Sequence, residues 1–256
     1  CRDYHKPIRA FTTNEPGGHS VTNGWMISAL TGIPMLDAAC NGRAHPTGVM
    51  GAIGLNAIPG YQSLQTAAGG QGEREVGLSV TGTVETTSQL VRQAAVQAGG
   101  YVTVLRNPVS TEFFKQNASV GVVSQAQAIG RHWMNSMDDM GKLLQILKDL
   151  LDCVVLGEGR VERVDLKMSG GFDVGTFLVE TGQSPLEVTF MNEYMTAERD
   201  GTRLATFPDL IAVIDRKTRQ PVCSAQLKAG MEVAVVNVPR AKLILGQGMK
   251  LPELFL

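Results

Sequence analysis

The spacing of apolar residues changes partway along the chain. In the first part, apolar residues recur at helical intervals, most clearly in residues 120–137 and 138–151. In the second part, short β-branched runs alternate with glycine-containing turns roughly every ten residues, which is typical of a β-barrel or a sandwich. We therefore predict an α/β fold class, with a mixed α/β domain over residues 1–153 and a β-rich domain over residues 154–256.

The same pattern predicts individual elements. In the first domain we expect a strand at 76–84, an amphipathic helix at 86–98 and a strand at 101–105. Residues 47–59 are small and apolar without a deciding period, and residues 60–77 are polar enough for a loop or a hairpin. The strands predicted for the β-rich domain are 159–168, 173–180, 186–191, 196–198, 202–205, 210–215 and 232–238.

A parallel strand–helix–strand unit is predicted to organise the first domain. A strand at 8–13 leads to a helix at 21–31, which Ser20 can cap, and a second strand follows at 34–36. Two strands joined by a helix in this way lie parallel, with a right-handed crossover. The loops that follow them therefore emerge at the same carboxyl edge of the sheet, where open α/β sheets bind their ligands.

The two loops at this edge carry the candidate chemistry of the chain. They would bring together acids, imidazoles, a thiol, an amide and a guanidinium: Glu15 and His19 from the first loop, and Asp37, Cys40, Asn41, Arg43 and His45 from the second. Such a set in one crevice predicts a functional site. Asp37 is expected at the carboxyl end of its strand, as a metal ligand or as a general base whose pKa is raised by burial beside Glu15.

Cys40 and His45 have three alternative roles. They could form a thiolate–imidazole nucleophile pair, or they could bind Zn²⁺ with Asp37 as the third ligand. The Cys-x4-His spacing matches no strict metal motif, and a small buried cysteine beside a turn-capping histidine is an equal alternative. The predicted catalytic set is therefore Asp37, Cys40, His45 and Glu15, and the first three are the candidate zinc ligands.

Neighbouring residues predict how a substrate would be held. Gly17 and Gly18 can offer backbone amides to an anion or to a carbonyl oxygen. His19 follows at the predicted helix start, where the helix dipole would keep it neutral, although packing at the helix start is an alternative. Arg43 can bind a substrate carboxylate through its guanidinium, or it can pair with Asp37.

Composition limits the class of partner. The formal net charge of −1 argues against nucleic acid, because phosphate binding needs a basic surface. No apolar run approaches the roughly 18 residues of a membrane-spanning helix. We expect neither a nucleic-acid partner nor a membrane partner, and no nucleotide cofactor.

The cysteines indicate the cellular compartment. Cys1, Cys40, Cys153 and Cys223 are scattered along the chain and form no Cys-x-x-Cys pair. This usage, without a visible signal peptide, predicts free thiols and a cytoplasmic protein. Because the chain opens with Cys1 instead of Met, we favour a truncated or processed start over a Cys1 nucleophile activated by its own amine.

Five ordered segments carry a family resemblance. An acidic residue stands before a Gly-Gly turn at Glu15–Gly18, and the longer stretch Ile33–Thr47 follows. The other three segments are 190–193, 199–211 and 214–239. Together they resemble the S-methyl-thiohydantoin desulfurase-like family, whose members are often encoded beside, or fused to, hydantoinase and oxoprolinase proteins.

The resemblance implies both a fold and an activity. It implies an α/β N-terminal domain, a β-rich C-terminal domain, and hydrolysis of five-membered cyclic ureas or thioureas, including S-substituted derivatives. It also implies substrate-binding roles for Asn192, Glu193 and Asp209, although turn-stabilising roles are equally compatible with these residues. Members of the family carry a further segment before the point where this chain begins, which supports truncation.

Two departures from the family pattern bear on the activity. The second acid of the family hallmark is Ala39 here, and the acid after its proline is Thr47, while Cys40 and His45 replace a usual glycine and phenylalanine. The chain is therefore expected to be a hydrolase of a hydantoin-like ring, or else a non-catalytic accessory domain of a hydantoinase or oxoprolinase assembly. The expected partners are a small cyclic amide substrate, hydantoinase or oxoprolinase subunits, and further copies of the chain in a homo-oligomer.

Overall fold

The structure, a computed structural model, describes residues 6–254 of the 256-residue chain. Cys1, and with it the predicted choice between nucleophile and truncated start, lies outside the described residues. The described chain forms two compact units. Unit 1 consists of two segments of the chain, one that ends at Val123 and one that begins at Ile244. Unit 2 comprises Ser124–Leu243.

Strands and helices are distributed unequally along the described chain. The strands are β1 (Phe11–Thr13), β2 (Met35–Ala39), β3 (Ser63–Gly69), β4 (Val76–Gly82), β5 (Val102–Arg106), β6 (Ser119–Val120), β7 (Val154–Ser169), β8 (Phe172–Thr181), β9 (Leu186–Met191), β10 (Glu193–Arg199), β11 (Thr202–Thr206), β12 (Leu210–Asp215), β13 (Pro221–Val222) and β14 (Glu232–Val238). The α-helices are α1 (Trp25–Thr31), α2 (Val84–Gln97), α3 (Thr111–Asn117), α4 (Val122–Met134) and α5 (Met140–Leu151). The mixed region up to α5 and the strand-rich region after it confirm the predicted fold class.

The first sheet of unit 1 contains the predicted strand–helix–strand unit. β1 and β2 pair in parallel around α1, and β6 joins β2 in the antiparallel direction. The predicted helix over 21–31 is divided, because a 3-10 turn at Ser20–Thr22 precedes α1, which ends at the left-handed Gly32. Ser20 does not cap a helix as predicted, since its hydroxyl donates to the carboxylate of Glu15.

The second sheet of unit 1 packs against α2. Its order is β4-β3-β5, with antiparallel pairing throughout. Thr83 caps α2 by accepting a hydrogen bond from the Thr86 N–H at 3.1 Å. β3 lies in the stretch predicted as a loop or a hairpin. Its polar residues Ser63 and Gln65 are fully buried and hydrogen-bonded inside the unit, so their polarity conceals a central strand from pattern analysis.

The small apolar stretch at 47–59 forms two 3-10 turns, Met50–Ala52 and Leu55–Ala57. Both turns contribute to an apolar cluster that also contains Phe114. The returning C-terminal segment lies directly on the first turn, because a Cβ added to Gly248 would be 2.1 Å from the carbonyl oxygen of Met50. Close approach of two backbones explains why this stretch is small and glycine-rich.

Unit 2 is built on one antiparallel sheet of eight strands, in the order β11-β10-β9-β8-β7-β14-β12-β13. Its inner face forms a cluster to which strands from both ends of the sheet contribute, including Phe177, Phe190 and Val235. The Tyr194 hydroxyl on β10 donates to the Val222 carbonyl on β13 at 2.8 Å. The sheet therefore curls around its core, as the predicted barrel-like or sandwich-like domain requires.

The outer face of this sheet carries the two long helices of unit 2. Leu143, Leu147 and Leu151 of α5 pack against β12 and β14, and Trp133 of α4 joins them. The compact units accordingly divide within the first turn of α4, which differs from the domain boundary predicted near residue 153. No helix within residues 6–254 is long and apolar enough to span a membrane.

Candidate active site

The loops after β1 and β2 meet around the carboxylate of Glu15. Ser20 Oγ donates to Oε1 at 3.0 Å, and the backbone N–H of His45 donates to Oε2 at 3.1 Å. Burial raises the pKa of Glu15, against the opposing effects of these hydrogen bonds and of the Arg106 and Arg43 charges. The side chain remains 15% exposed, so Glu15 stands at the edge of a buried cluster.

His45 is buried and neutral. Its Nδ1 lies 2.7 Å from the Thr47 carbonyl oxygen, which can only accept, so Nδ1 carries the ring proton. Asn14 Nδ2 donates to Nε2 at 2.9 Å. Burial, together with the Arg106 charge, lowers the pKa of His45 to about 3. The 3.9 Å approach of Nε2 to Glu15 Oε2 is therefore not an ion pair, and both ring nitrogens serve to order the two loops.

Cys40 directly follows β2 and packs against the apolar cluster of unit 1. Burial raises the pKa of its thiol to about 11, although the nearby Arg106 charge acts in the opposite direction. The thiol is therefore protonated at neutral pH, whereas nucleophilic attack requires the thiolate. Because both nitrogens of His45 are bonded elsewhere, the structure does not form the predicted thiolate–imidazole pair.

Asp37 lies inside β2, not at its carboxyl end as predicted. The strand continues to Ala39 because Ala38 and Ala39 pair with β6 and are buried there. The side chain of Asp37 is exposed, and its backbone carbonyl accepts a hydrogen bond from the Gly121 N–H at 2.8 Å. The expected burial of Asp37 beside Glu15 is thus corrected, and the catalytic role predicted for Asp37 stays a prediction.

The three candidate zinc ligands do not assemble. Asp37 is exposed, Cys40 packs against apolar side chains, and His45 has both nitrogens in hydrogen bonds with the protein. Within the described residues, no group of three or more His, Cys, Asp or Glu side chains is placed to hold a metal ion. These residues do not fit Zn²⁺ in this arrangement, and no chemical step is derived through a metal. Zinc binding stays a prediction.

Gly17, Gly18 and His19 form the rim of the first loop. A Cβ on Gly17 would lie 3.1 Å from Glu15 Oε1, so its backbone borders the carboxylate. Gly18 is exposed with φ +35°, and the exposed His19 ring stands edge-on to Tyr101 at 6.3 Å between centroids. A 3-10 turn of three residues follows His19 where a helix was predicted. The helix dipole that was expected to act on His19 is therefore absent at this position.

Asn41 and Arg43 are buried within the second loop. Asn41 is 0% exposed, and its Nδ2 donates to the Met50 carbonyl at 2.7 Å. Arg43 is 3% exposed, and its Nε donates to the Ala44 carbonyl at 2.9 Å. These contacts hold the backbone of the loop, which is a positioning role; the predicted contacts with substrate stay predictions.

Arg106, at the carboxyl end of β5, belongs to the cluster and was missed by sequence reasoning. Its guanidinium reaches the second loop, because a Cβ on Gly48 would lie 2.9 Å from Nη1. Its charge acts on Glu15, Cys40 and His45. The predicted strand ended one residue before Arg106, and a charged residue at the end of a strand was the signal that could have identified it.

A cleft lies elsewhere in unit 1. It measures about 270 Å³ and lies between residues 55–62 and the N-terminus of α2. None of the predicted site residues lines it, and its lining includes Leu55, Ile58 and Tyr61. The candidate chemistry is therefore assigned to the loop cluster and not to this cleft.

The binding residues predicted in the β-rich domain lie in unit 2. Asn192, with φ +59°, occupies the turn between β9 and β10, where its Oδ1 accepts from the Asp173 N–H at 2.8 Å. Asp209 Oδ1 accepts from the N–H and the Nε of Arg240, at 2.9 and 3.2 Å. Glu193 begins β10 and is half-buried. The contacts of Asn192 and Asp209 correspond to the turn-stabilising alternative.

Comparison with known proteins gives a family and a fold. Residues 82–251 match the family described as S-Me-THD-like, C-terminal domain. A crystal structure of a protein from Chromobacterium violaceum is similar to 90% of this chain, with a TM-score of 0.68 and 21% sequence identity. The chain spans 65% of that protein's length, and likeness at this identity shows the fold alone. No curated protein matches the sequence.

Proposed function

The chain belongs to the S-Me-THD-like family, and from this premise we propose that it hydrolyses a five-membered cyclic urea or thiourea ring, or its S-substituted derivative. The observation that carries the proposal is the Glu15 carboxylate. It is partly exposed, its pKa is raised by burial, and it lies where the loops after two parallel strands converge. A carboxyl group in such a setting suits general acid–base catalysis.

In the proposed reaction, Glu15 takes a proton from water while the water oxygen bonds to a ring carbon. The C–N bond of the ring, or the C–S bond of an S-methyl derivative, then breaks. The proton returns from Glu15 to the leaving nitrogen or sulfur, so that one carboxyl group acts first as the base and then as the acid. A raised pKa supports both roles, because it makes the carboxylate a stronger base and brings its pKa closer to the working pH.

The developing oxyanion is assigned to the backbone amides of Gly17 and Gly18. This assignment is supported by the position of Gly17, whose backbone borders Oε1 of Glu15. His45 acts as a positioning residue, since its N–H holds Oε2 of the same carboxylate. We assign no proton transfer to Cys40, because its thiol is protonated, or to Asp37, because its side chain is exposed outside the cluster.

A non-catalytic accessory role in a hydantoinase or oxoprolinase assembly is the second candidate. Ala39 stands where the family hallmark has an acid, and it is 0% exposed, so this position can supply no charge. Both ring nitrogens of His45 are likewise hydrogen-bonded to residues of the protein's own loops. These two observations favour an ordered scaffold over a reactive centre, and turnover by the isolated chain separates the two functions.

The test is turnover of hydantoin and of S-methyl-thiohydantoin by the chain and by Glu15→Gln. We expect the substitution to lower the rate on the order of a hundredfold or more, because it removes the general base and keeps the shape of the side chain. The rate of the unsubstituted chain should rise with pH as Glu15 ionises, with a midpoint above 4.5, since burial raises this pKa. Ring opening and methanethiol release are the measured quantities.

Glu73→Gln is the matched control, because Glu73 is exposed in a 3-10 turn of unit 1. Its rate should equal that of the unsubstituted chain. Full turnover by Glu15→Gln would remove Glu15 from the mechanism. No turnover of either ring by the unsubstituted chain would favour the accessory role.

A further inference from the structure

Three arginines surround the loop after β2, and they differ in their partners. Arg43 Nε donates to the Ala44 carbonyl, and Arg92 Nη2 donates to the Pro46 carbonyl, each at 2.9 Å. Arg106 reaches the same loop, but its guanidinium makes no side-chain hydrogen bond or ion pair with any residue between 6 and 254. Its interaction with the cluster at neutral pH is electrostatic attraction to the Glu15 carboxylate.

The position of Arg106 makes this lack of acceptors costly. The residue is half-buried, and burial lowers the pKa of its guanidinium, although an arginine stays charged. A partly desolvated charge without acceptors from the protein is stabilised when an anion or a polar group from elsewhere binds to it. Five N–H donors in a planar fork match a carboxylate in particular.

The charges of the cluster support the same conclusion. The guanidinium charges of Arg106 and Arg43 both act on the Glu15 carboxylate. His45 is neutral, and the Cys40 thiol is protonated, so neither balances the second positive charge. Arg106 therefore presents a positive charge at the cluster, and an anionic molecule would be attracted to it.

Gly48 shows where the guanidinium is directed. A Cβ at this residue would be 2.9 Å from Arg106 Nη1 and 2.9 Å from Ser88 Oγ. The absence of a side chain there lets the guanidinium lie against the loop that carries Cys40 and His45. Arg106 thus points into the candidate site and not along the outside of the sheet.

We propose that Arg106 is the anion-binding residue of this site and holds a carboxylate carried by the small molecule that binds there. The inference rests on the proposed function and narrows its substrate class to rings with an acidic side chain. Such a ring would place its carboxylate on Arg106 while its reactive carbon meets the water activated by Glu15.

The experiment measures binding by calorimetry, so it does not depend on turnover. Hydantoin-5-acetate, its neutral analogue hydantoin-5-acetamide and the ringless anion succinate are titrated into the chain. We expect the acetate to bind about tenfold or more tighter than the amide, and Arg106→Gln to remove this preference. Arg106→Lys should keep part of it, because lysine retains the charge but not the planar fork. Arg9→Gln, at an exposed position, is the control that should change nothing.

Stability separates an anion-binding arginine from a structural one. Arg106→Gln should leave the unfolding midpoint unchanged or raise it, since it removes a charge without acceptors. Arg92→Gln should lower the midpoint, because it removes the hydrogen bond to the Pro46 carbonyl. A lowered midpoint for Arg106→Gln, with the acetate preference intact, would overturn the proposal.

The outcomes also separate this inference from the proposed hydrolysis. Binding of hydantoin-5-acetate or succinate through Arg106, without any ring opening, would leave the anion site in place and end the hydrolase proposal. Equal hydrolysis of acidic and neutral rings, unaffected by Arg106→Gln, would end the anion site and leave the hydrolase in place.

Discussion

The two units bury different kinds of side chain. Among the described residues, eleven buried side chains are polar or charged, and eight of these belong to unit 1. The core of unit 2 is instead an almost entirely apolar cluster on the inner face of its sheet. Unit 2 is therefore stabilised mainly by removing apolar surface from water, whereas unit 1 also depends on hydrogen bonds between buried polar groups. The candidate chemistry is found in the unit with the more demanding interior.

Buried polar groups in unit 1 are arranged as connected networks. Gln65 Nε2 donates to Thr87 Oγ1 at 2.8 Å, and Thr87 Oγ1 donates to Ser63 Oγ at 3.0 Å. The Glu15 and His45 contacts form a second network in the loops at the sheet edge. Such networks fix the positions of their members, but they lose stability when one member changes its protonation state. This difference between the units can be tested by changing the pH and by mutation.

The largest expected effect is a selective loss of stability of unit 1 in acid. His45 has a folded pKa of about 3 against an unfolded value of 6.5, so its contribution is complete above 6.5 and is lost as the pH falls towards 3. The shift corresponds to roughly 4 to 5 kcal/mol. Glu15 acts in the opposite direction: its raised pKa gives a contribution that is present below 4.5 and lost as the pH rises, so it partly offsets the acid effect.

The two tryptophans of the chain allow each unit to be followed separately. Trp25 lies in α1 of unit 1, and Trp133 lies in α4 of unit 2. The Trp133→Phe variant keeps only Trp25, so its fluorescence during urea unfolding reports on unit 1. The Trp25→Phe variant keeps only Trp133 and reports on unit 2. Both variants are unfolded at pH 7 and at pH 4. We expect the unit 1 midpoint to fall more. Equal losses in both units would contradict the comparison.

The next effect is the loss of apolar packing in unit 2. Phe190 is 2% exposed in the inner cluster, so Phe190→Ala should lower the free energy of unfolding by about 3 to 4 kcal/mol. The loss should be the same at pH 7 and pH 4, because no titratable group is removed. Val174→Ala on the neighbouring strand is the control, since Val174 is 38% exposed and should cost far less. A strongly pH-dependent loss for Phe190→Ala would remove the distinction between the units.

The same difference explains how much of the molecule could be predicted from the sequence. β9 and β12 have the predicted bounds, and β8 is one residue longer at each end than the strand predicted for it. These strands were predictable because alternating side chains with an apolar inner face set the register of unit 2 locally. In unit 1 the buried Gln65 made a central strand resemble a loop. Polar residues mark the surface in most patterns, so a unit that buries many of them misleads pattern analysis.

The candidate site was predicted in part for a related reason. The topology of the strand–helix–strand unit was sufficient to predict that the loops carrying Glu15 and His45 would meet. Protonation states and exposure depend on contacts from other elements, which the local sequence does not encode. Arg106 arrives from β5 in the second sheet, and Asp37 turns outward because β6 extends the pairing of β2. Neither fact follows from the residues around them.

Asp37→Asn has the smallest expected effect on stability and is the sharpest test of these differences. Its exposed side chain predicts a change in unfolding free energy of at most about 1 kcal/mol, because an interaction of an exposed charge contributes little. Sequence reasoning predicts that this substitution abolishes ring hydrolysis, whereas the geometry predicts turnover close to that of the unsubstituted chain, because Asp37 lies outside the Glu15 cluster. Measuring both rates together decides between them. A hundredfold loss in Asp37→Asn with full turnover in Glu15→Gln would move the active centre to the exposed face of β2. The reverse pattern would place it among the buried polar groups that distinguish unit 1 from unit 2.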